Sequence, residues 1–169
     1  MILVKEEEIQ SRLKEIAEEI NSNYKEITLL GILMGSLNTM MDLSKYITIP
    51  CRLEVIKASS YGDDTTSNQV KLSYCSLDYK KIYNNVLLID DICDTGKTLS
   101  KVRNYLLDNF KIKNIETMVL LDKPSRRKKQ VDLNYRGFEV ANLFVYGYGL
   151  DDKGYARNKT DIYVKEGDE

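Results

Sequence analysis

The chain has 169 residues, enough for one hydrophobic core and short for two, so a single domain over residues 1–169 is expected. Hydrophobic residues make up 43% and charged residues 30%, a balance that argues for a globular fold rather than disorder. Lys and Arg number 25 against 26 Asp and Glu, which removes the general basic attraction that binding to nucleic acid or an anionic membrane demands. No apolar run nears the roughly 20 residues of a spanning helix. The opening MILV is too short for the core of a signal peptide, so a cytoplasmic protein is expected. Cys51, Cys75 and Cys93 lack Cys-x-x-Cys spacing and read as reduced, buried thiols. Histidine is absent, so proton transfer near neutral pH falls to Asp, Glu, Lys or Tyr.

Along the chain, Ile9, Leu13, Ile16 and Ile20 recur every three or four residues and predict a helix over 6–20. ITLLGILMG, from Ile27, is the continuous apolar run of a strand covered on both faces. Ser36 is placed to cap a second helix in which Leu37, Met40, Met41 and Leu43 are apolar. Residues 51–59 alternate apolar and polar and read as a strand; the polar run from Ser60 to Gln69 reads as a loop. VLLID, from Val86, is a buried strand, followed by a helix from about Gly96 to Phe110 and a strand over IETMVLLD. A basic run, KPSRRKKQ, comes next, then two short extended pieces in FEVANLFVYGYGLDD and a last strand in TDIYVKE. Strands alternating with helices predict an α/β fold with a mainly parallel central sheet flanked by helices.

The chemistry concentrates in Val86–Thr98. In an open α/β sheet, ligands bind beyond the carboxyl ends of the strands. There the chain offers Asp90, Asp91, Asp94, Thr95, Gly96, Lys97 and Thr98 in quick succession. Free N–H groups at the start of a helix make an anion site; Gly96 permits close backbone approach and Thr95 and Thr98 add hydroxyl donors. Asp94 or Thr95 alone would suffice as a helix cap. Three carboxylates within five residues exceed what a cap needs and repel one another unless a cation or hydroxyl-rich ligand lies between them. Gly96-Lys97-Thr98 could end a P-loop, but the first glycine of that motif would fall at Asp91. A phosphate turn beside an acidic pair suits instead a ligand with one phosphate, vicinal hydroxyls and Mg2+.

In this segment the chain resembles the phosphoribosyl-diphosphate (PRPP) motif of type I phosphoribosyltransferases. LMGS (from Leu33), ASSYGDDT (Ala58), LLDKPSRR (Leu120), GFEV (Gly137) and FVYGYGLDDKGYAR (Phe144) then follow in the order seen in the hypoxanthine–guanine branch. The resemblance implies the type I fold, with a small hood formed by the N- and C-terminal segments, and transfer of the 5-phosphoribosyl group from PRPP to N9 of a 6-oxopurine. The substrates implied are PRPP and hypoxanthine or guanine, the cofactor is Mg2+, and the subunits form a dimer or tetramer. Nucleic acid and membrane are not expected partners.

The implied roles fall on particular residues. Asp90 and Asp91 would hold the ribose hydroxyls and, with Asp151, the metal. Thr95, Gly96, Lys97 and Thr98 would take the 5-phosphate, and Asp94 would act as general base or acid at purine N7. Lys123 would donate to O6, Phe144 would stack on the base, and the Val145 carbonyl would read its edge. Arg127 and Arg157 would bind pyrophosphate, with Met34 and Gly35 presenting backbone N–H groups to it. Ser60 and Tyr61 would ride on a lid. Arg126, Lys128 and Lys129 read as solvated charge. Two departures from the family stand out: Asp90 occupies a place more often held by Glu, and Met34 one commonly held by Lys. Rival readings are a xanthine-preferring transferase, a PRPP-motif regulator that binds RNA, and a phospho-receiver domain. The last would spread its acids, threonine and lysine over separate strands, whereas here they crowd into nine residues.

Overall fold

The structure is a computed structural model that describes residues 1–61 and 69–165. The first helix, α1 (Glu6–Asn23), follows a short strand, β1 (Ile2–Val4). Its start is fixed twice: the Glu8 carboxylate accepts the Lys5 N–H at 2.9 Å, and Asp161 accepts the Glu6 N–H at 2.8 Å. Glu6, Glu7 and Glu8 also complement the positive end of the helix dipole. Ile9, Leu13, Ile16, Ala17 and Ile20 form the fully buried stripe that the spacing predicts. Each such Leu or Ile contributes about 1.5–3 kcal/mol by leaving water.

β2 (Ile27–Leu33), β3 (Cys51–Tyr61), β4 (Gln69–Cys75), β5 (Ile82–Cys93), β6 (Lys111–Asp122) and β7 (Tyr135–Glu139) form a six-stranded sheet in the order β4-β3-β2-β5-β6-β7. All neighbours run parallel except β3 and β4. Strand periodicity splits the sheet residues between two cores. Leu29, Leu87, Ile89 and Met118 pack with α1 and with α2 (Leu37–Tyr46), while Leu30, Val86, Leu88 and Val119 pack with α3 (Lys97–Asn109). Both faces are therefore covered, which is why these strands read as unbroken apolar runs. Gly31 lets α2 lie close: a Cβ there would meet Ser36 Oγ at 2.8 Å and Met40 Sδ at 3.0 Å.

A second sheet joins the chain ends, with β1 pairing β9 (Ile162–Val164) and β9 pairing β8 (Val145–Tyr146), all antiparallel. This is the hood. Its loop is pinned to α2 by buried Tyr148, whose hydroxyl donates to Asp42 at 2.6 Å.

Some expectations need correction. Ser36 precedes α2 but does not cap it with its side chain; the hydroxyl donates back to the Ile32 carbonyl at 2.6 Å. The loop expected over Ser60–Gln69 does not hold at its ends, where Ser60, Tyr61 and Gln69 belong to a pair of antiparallel strands. Residues 62–68 lie outside the described residues. Cys51 is exposed rather than buried, Cys75 is half-buried, Cys93 is buried, and all three are free thiols. Among the described residues no helix is long and apolar enough to cross a membrane.

Candidate active site

The chain passes from β2 to its neighbour β3 and later returns to the other side of β2 with β5, so the strand order reverses between β2 and β5. Such a reversal leaves a crevice at the carboxyl ends of the strands. The register shows it opening. Pairing of β2 with β5 ends at Gly31 and Ile89, while β5 continues beside β6 as far as Cys93 and Asp122. Asp90 is a strand residue, as the apolar run to Asp90 predicts, and the strand runs on past it through Asp91 to Cys93.

The cleft there has a volume of about 280 Å³. It is lined by Met34 and Gly35 after β2, by Asp90, Asp91, Asp94, Thr95, Gly96 and Thr98 along β5 and the turn, and by Asp151 and Arg157 from the hood. Most of the residues expected for a ribose phosphate and a pyrophosphate therefore share one cavity. Lys97 begins α3 just behind the turn.

Two glycines make the convergence possible. A Cβ on Gly35 would run into the Asp91 carboxylate, and a Cβ on Gly149 would strike the Gly35 carbonyl. The segment after β2 and the hood thus meet backbone to backbone, with the Asp91 side chain lying against Gly35. The peptide joining Leu33 and Met34 is cis, and the Met34 side chain stands half exposed.

Electrostatics in the cleft are unequal. Burial pushes the Asp90 carboxyl well above the ordinary carboxylate range, and the neighbouring charge of Asp91 pushes it further. Asp91 is also raised by burial, but hydrogen bonding to Asp90 and the Ile92 N–H, and the nearby charge of Arg157, pull it back. The Ile92 N–H donates to Asp91 Oδ1 at 2.7 Å and the Asp91 N–H to Asp90 Oδ1 at 3.0 Å. Arg157 is itself held: it donates to the Gly149 carbonyl at 2.6 Å and pairs with Asp151 at 3.0 Å. The second Asp151 oxygen accepts the Gly154 N–H at 2.8 Å.

The turn itself is buttressed by the basic run, in a way the sequence does not announce. The Thr95 carbonyl accepts both the Lys128 and Lys129 N–H groups, at 3.0 and 2.9 Å. Gly96 has φ +80°, and a Cβ on it would collide with the Lys129 carbonyl, so only glycine fits. Arg127 differs from its expected role: its guanidinium is engaged by Asp122 and by the carbonyls of Asp94 and Cys93, so it stiffens the turn rather than facing pyrophosphate. Arg126 is not simply solvated; its Nε lies 2.8 Å from Asp94 Oδ1. That contact is an ion pair without hydrogen-bond alignment, and Asp94 Oδ1 is buried with no hydrogen-bond partner.

Asp122 was missed by sequence reasoning. It is only 3% exposed and pairs with both Arg127 and Arg136 (3.2 Å). Its partners lie five residues away, just past a short 3-10 turn, and fourteen residues away in β7, and no local periodicity marks them.

Beyond the cleft, Lys123 is buried next to the turn, its N–H bonded to the Cys93 carbonyl at 2.9 Å. Its ammonium donates to the Leu143 carbonyl at 2.6 Å. Burial lowers the lysine's pKa, and the Asp94 charge partly offsets that. Phe144 follows Leu143 and is 40% exposed, whereas Val145 is buried in β8. Ser60 and Tyr61 end β3.

An α/β sheet with an acidic pair and a glycine-containing turn at a helix N-terminus, both at its switch point, fits an enzyme that acts on a ribose phosphate. The family model described as the phosphoribosyl transferase domain matches residues 3–153. The chain is 39% identical over 168 residues to the hypoxanthine-guanine phosphoribosyltransferase of Aquifex aeolicus, covering 98% of this chain and 94% of that protein. It is 40% identical over 168 residues to the Bacillus subtilis enzyme of the same name, covering 96% and 91%. A crystal structure of a hypoxanthine-guanine phosphoribosyltransferase from Bacillus anthracis superposes with a TM-score of 0.90 at 33% identity, covering 98% of both chains. The chain belongs to the phosphoribosyltransferase family, in its hypoxanthine–guanine branch.

The acidic pair yields a stability prediction. A carboxyl whose folded pKa is raised stabilises the fold most below its unfolded pKa, about 4. That contribution is lost as pH rises through the folded value. Asp90→Asn should therefore raise the Tm of the ligand-free protein near neutral pH, with the gain shrinking as pH falls towards about 4. Thermal melts across that range check it; an Asn variant less stable at neutral pH would contradict the assignment.

Proposed function

We propose that the chain transfers the 5-phosphoribosyl group of PRPP to N9 of hypoxanthine or guanine, releasing pyrophosphate and giving IMP or GMP in purine salvage. The observation that carries this reading is the single cleft in which Asp90, Asp91, the Thr95–Thr98 turn and Arg157 meet. An acidic pair suits ribose hydroxyls, the turn suits a phosphate, and Arg157 with the Gly35 backbone suits a pyrophosphate leaving group.

The donor set also fits Mg2+. Among the described residues no three acidic, Cys or His side chains form a cage for a metal ion alone. Mg2+ commonly binds through one or two carboxylates and takes its other ligands from substrate oxygens and water. Asp90 and Asp91, whose ionisation is opposed by burial and mutual repulsion, would hold one such ion together with the ribose; Asp151 would hold a second. Bound there, Mg2+ would neutralise charge on the leaving pyrophosphate.

The rest falls to the protein's own groups. Arg157, fixed by Asp151 and the Gly149 carbonyl, is pre-positioned for the anion that develops as the C1–O bond breaks. The ribose passes through an oxocarbenium-like state, as in glycosyl transfer generally. Asp94 handles the proton at N7: it lines the cleft, and with Oδ1 paired to Arg126 at 2.8 Å its other carboxylate oxygen would take the proton. Lys123 keeps its ammonium beside the Leu143 carbonyl and offers a further proton to O6, while Phe144 stacks on the base and Val145 lines its edge. Ser60 and Tyr61, at the end of β3, would themselves belong to a lid that excludes water from PRPP.

The test is pyrophosphate release with PRPP, Mg2+ and each of adenine, hypoxanthine, guanine and xanthine in turn. Release with hypoxanthine or guanine is expected, and release with adenine alone overturns the assignment. Asp94→Asn should fold and bind PRPP but lose on the order of 10²–10⁴-fold in kcat. Lys123→Ala removes a charge-assisted hydrogen bond and should cost roughly 10- to 100-fold in kcat/KM for 6-oxopurines. Unchanged base selectivity in that variant would return Lys123 to a structural role.

A further inference from the structure

Phe144 does not stand alone. The ammonium of Lys165 lies 5.1 Å from the centre of its ring, within cation–π range, and the Lys165 N–H donates to the Phe144 carbonyl at 3.0 Å. The same ammonium is clamped by both oxygens of Asp152, at 3.0 and 2.9 Å. Asp152 is the neighbour of Asp151, which pairs with Arg157 in the cleft. The hood thus carries a chain of contacts from the aromatic ring through Lys165 and Asp152 to the pyrophosphate end of the site.

We propose that Lys165, held by Asp152, is a positioning residue for the purine: it occupies one face of the Phe144 ring and presents the other to the base. An ordered ring loses less freedom when the base stacks. A cation on its far face also draws π-electron density away from the stacking face. Both effects act on base binding and neither reaches PRPP. The inference rests on the reading that Phe144 stacks on the purine.

Steady-state kinetics with PRPP, Mg2+ and hypoxanthine test it, using variants that keep the stem length of residue 165. Lys165→Met should raise KM for the base about two- to fivefold, leaving kcat and KM for PRPP unchanged. Lys165→Arg, which keeps a cation over the ring, should restore it. Asp152→Asn, which frees the ammonium, should give a smaller rise of the same kind. Phe144→Ala separates the two levels of the argument. If it leaves KM for the base unchanged, the stacking reading itself fails. If it raises that KM while Lys165→Met does not, Lys165 alone is excluded. Equal effects of Met and Arg, an equal rise for both substrates, or a Lys165→Met effect that persists undiminished on Phe144→Ala would each overturn the proposal.

Discussion

Two carboxylates placed side by side at the inner end of a buried strand repel each other and forgo their water, and the cleft is arranged around that conflict. Asp90 is buried and Asp91 half-buried, yet the cation that acts on Asp91, Arg157, is already tied to Asp151. The pair is therefore left undercompensated in the free protein. A ligand that brings hydroxyl donors and a divalent cation relieves both the repulsion and the lost hydration. Binding strength is stored here as native-state instability, the usual exchange between function and stability at active sites.

Holding such a pair in place calls for rigid surroundings. β5 is hydrogen-bonded on both sides up to Ile89 and on one side beyond it, so Asp90 and Asp91 sit on strand backbone rather than on a mobile loop. Gly35 and Gly149 let two further backbones close in. Asp122, joined to Arg127 and Arg136, ties the end of β6 to the turn and to β7. A buried acid with two arginines contributes mainly by fixing geometry, since the cost of removing charges from water offsets much of their attraction.

Much of this was legible in the sequence because it is local. The apolar runs at 27–33 and 86–89 need two covered faces, which only a flanked parallel sheet supplies. The spacing of Asp90, Asp91 and Gly96-Lys97-Thr98 carries its chemistry within one turn of chain. What was not legible is the folding back of the basic run. Lys128 and Lys129 act through backbone amides, which leave no trace in side-chain identity, while Arg126 finds Asp94 in the turn beyond β5 and Arg127 finds Asp122 at the end of β6. Charge-rich stretches read as solvated by default. Here the carbonyl of Thr95 and the buried Asp122 decide otherwise. Ser36 misled in the opposite sense: a good capping residue at the right place found a nearer acceptor in Ile32.

The double hydrogen bond from Lys128 and Lys129 to Thr95 has a consequence for communication within the site. It ties the Thr95 turn by direct backbone hydrogen bonds to the segment that follows Lys123. Any ligand that quiets the turn narrows the motions open to the lysine, and the reverse holds by thermodynamic reciprocity. Under the proposed roles, occupancy of the phosphate half of the pocket would be felt as order in the purine half, and the reverse.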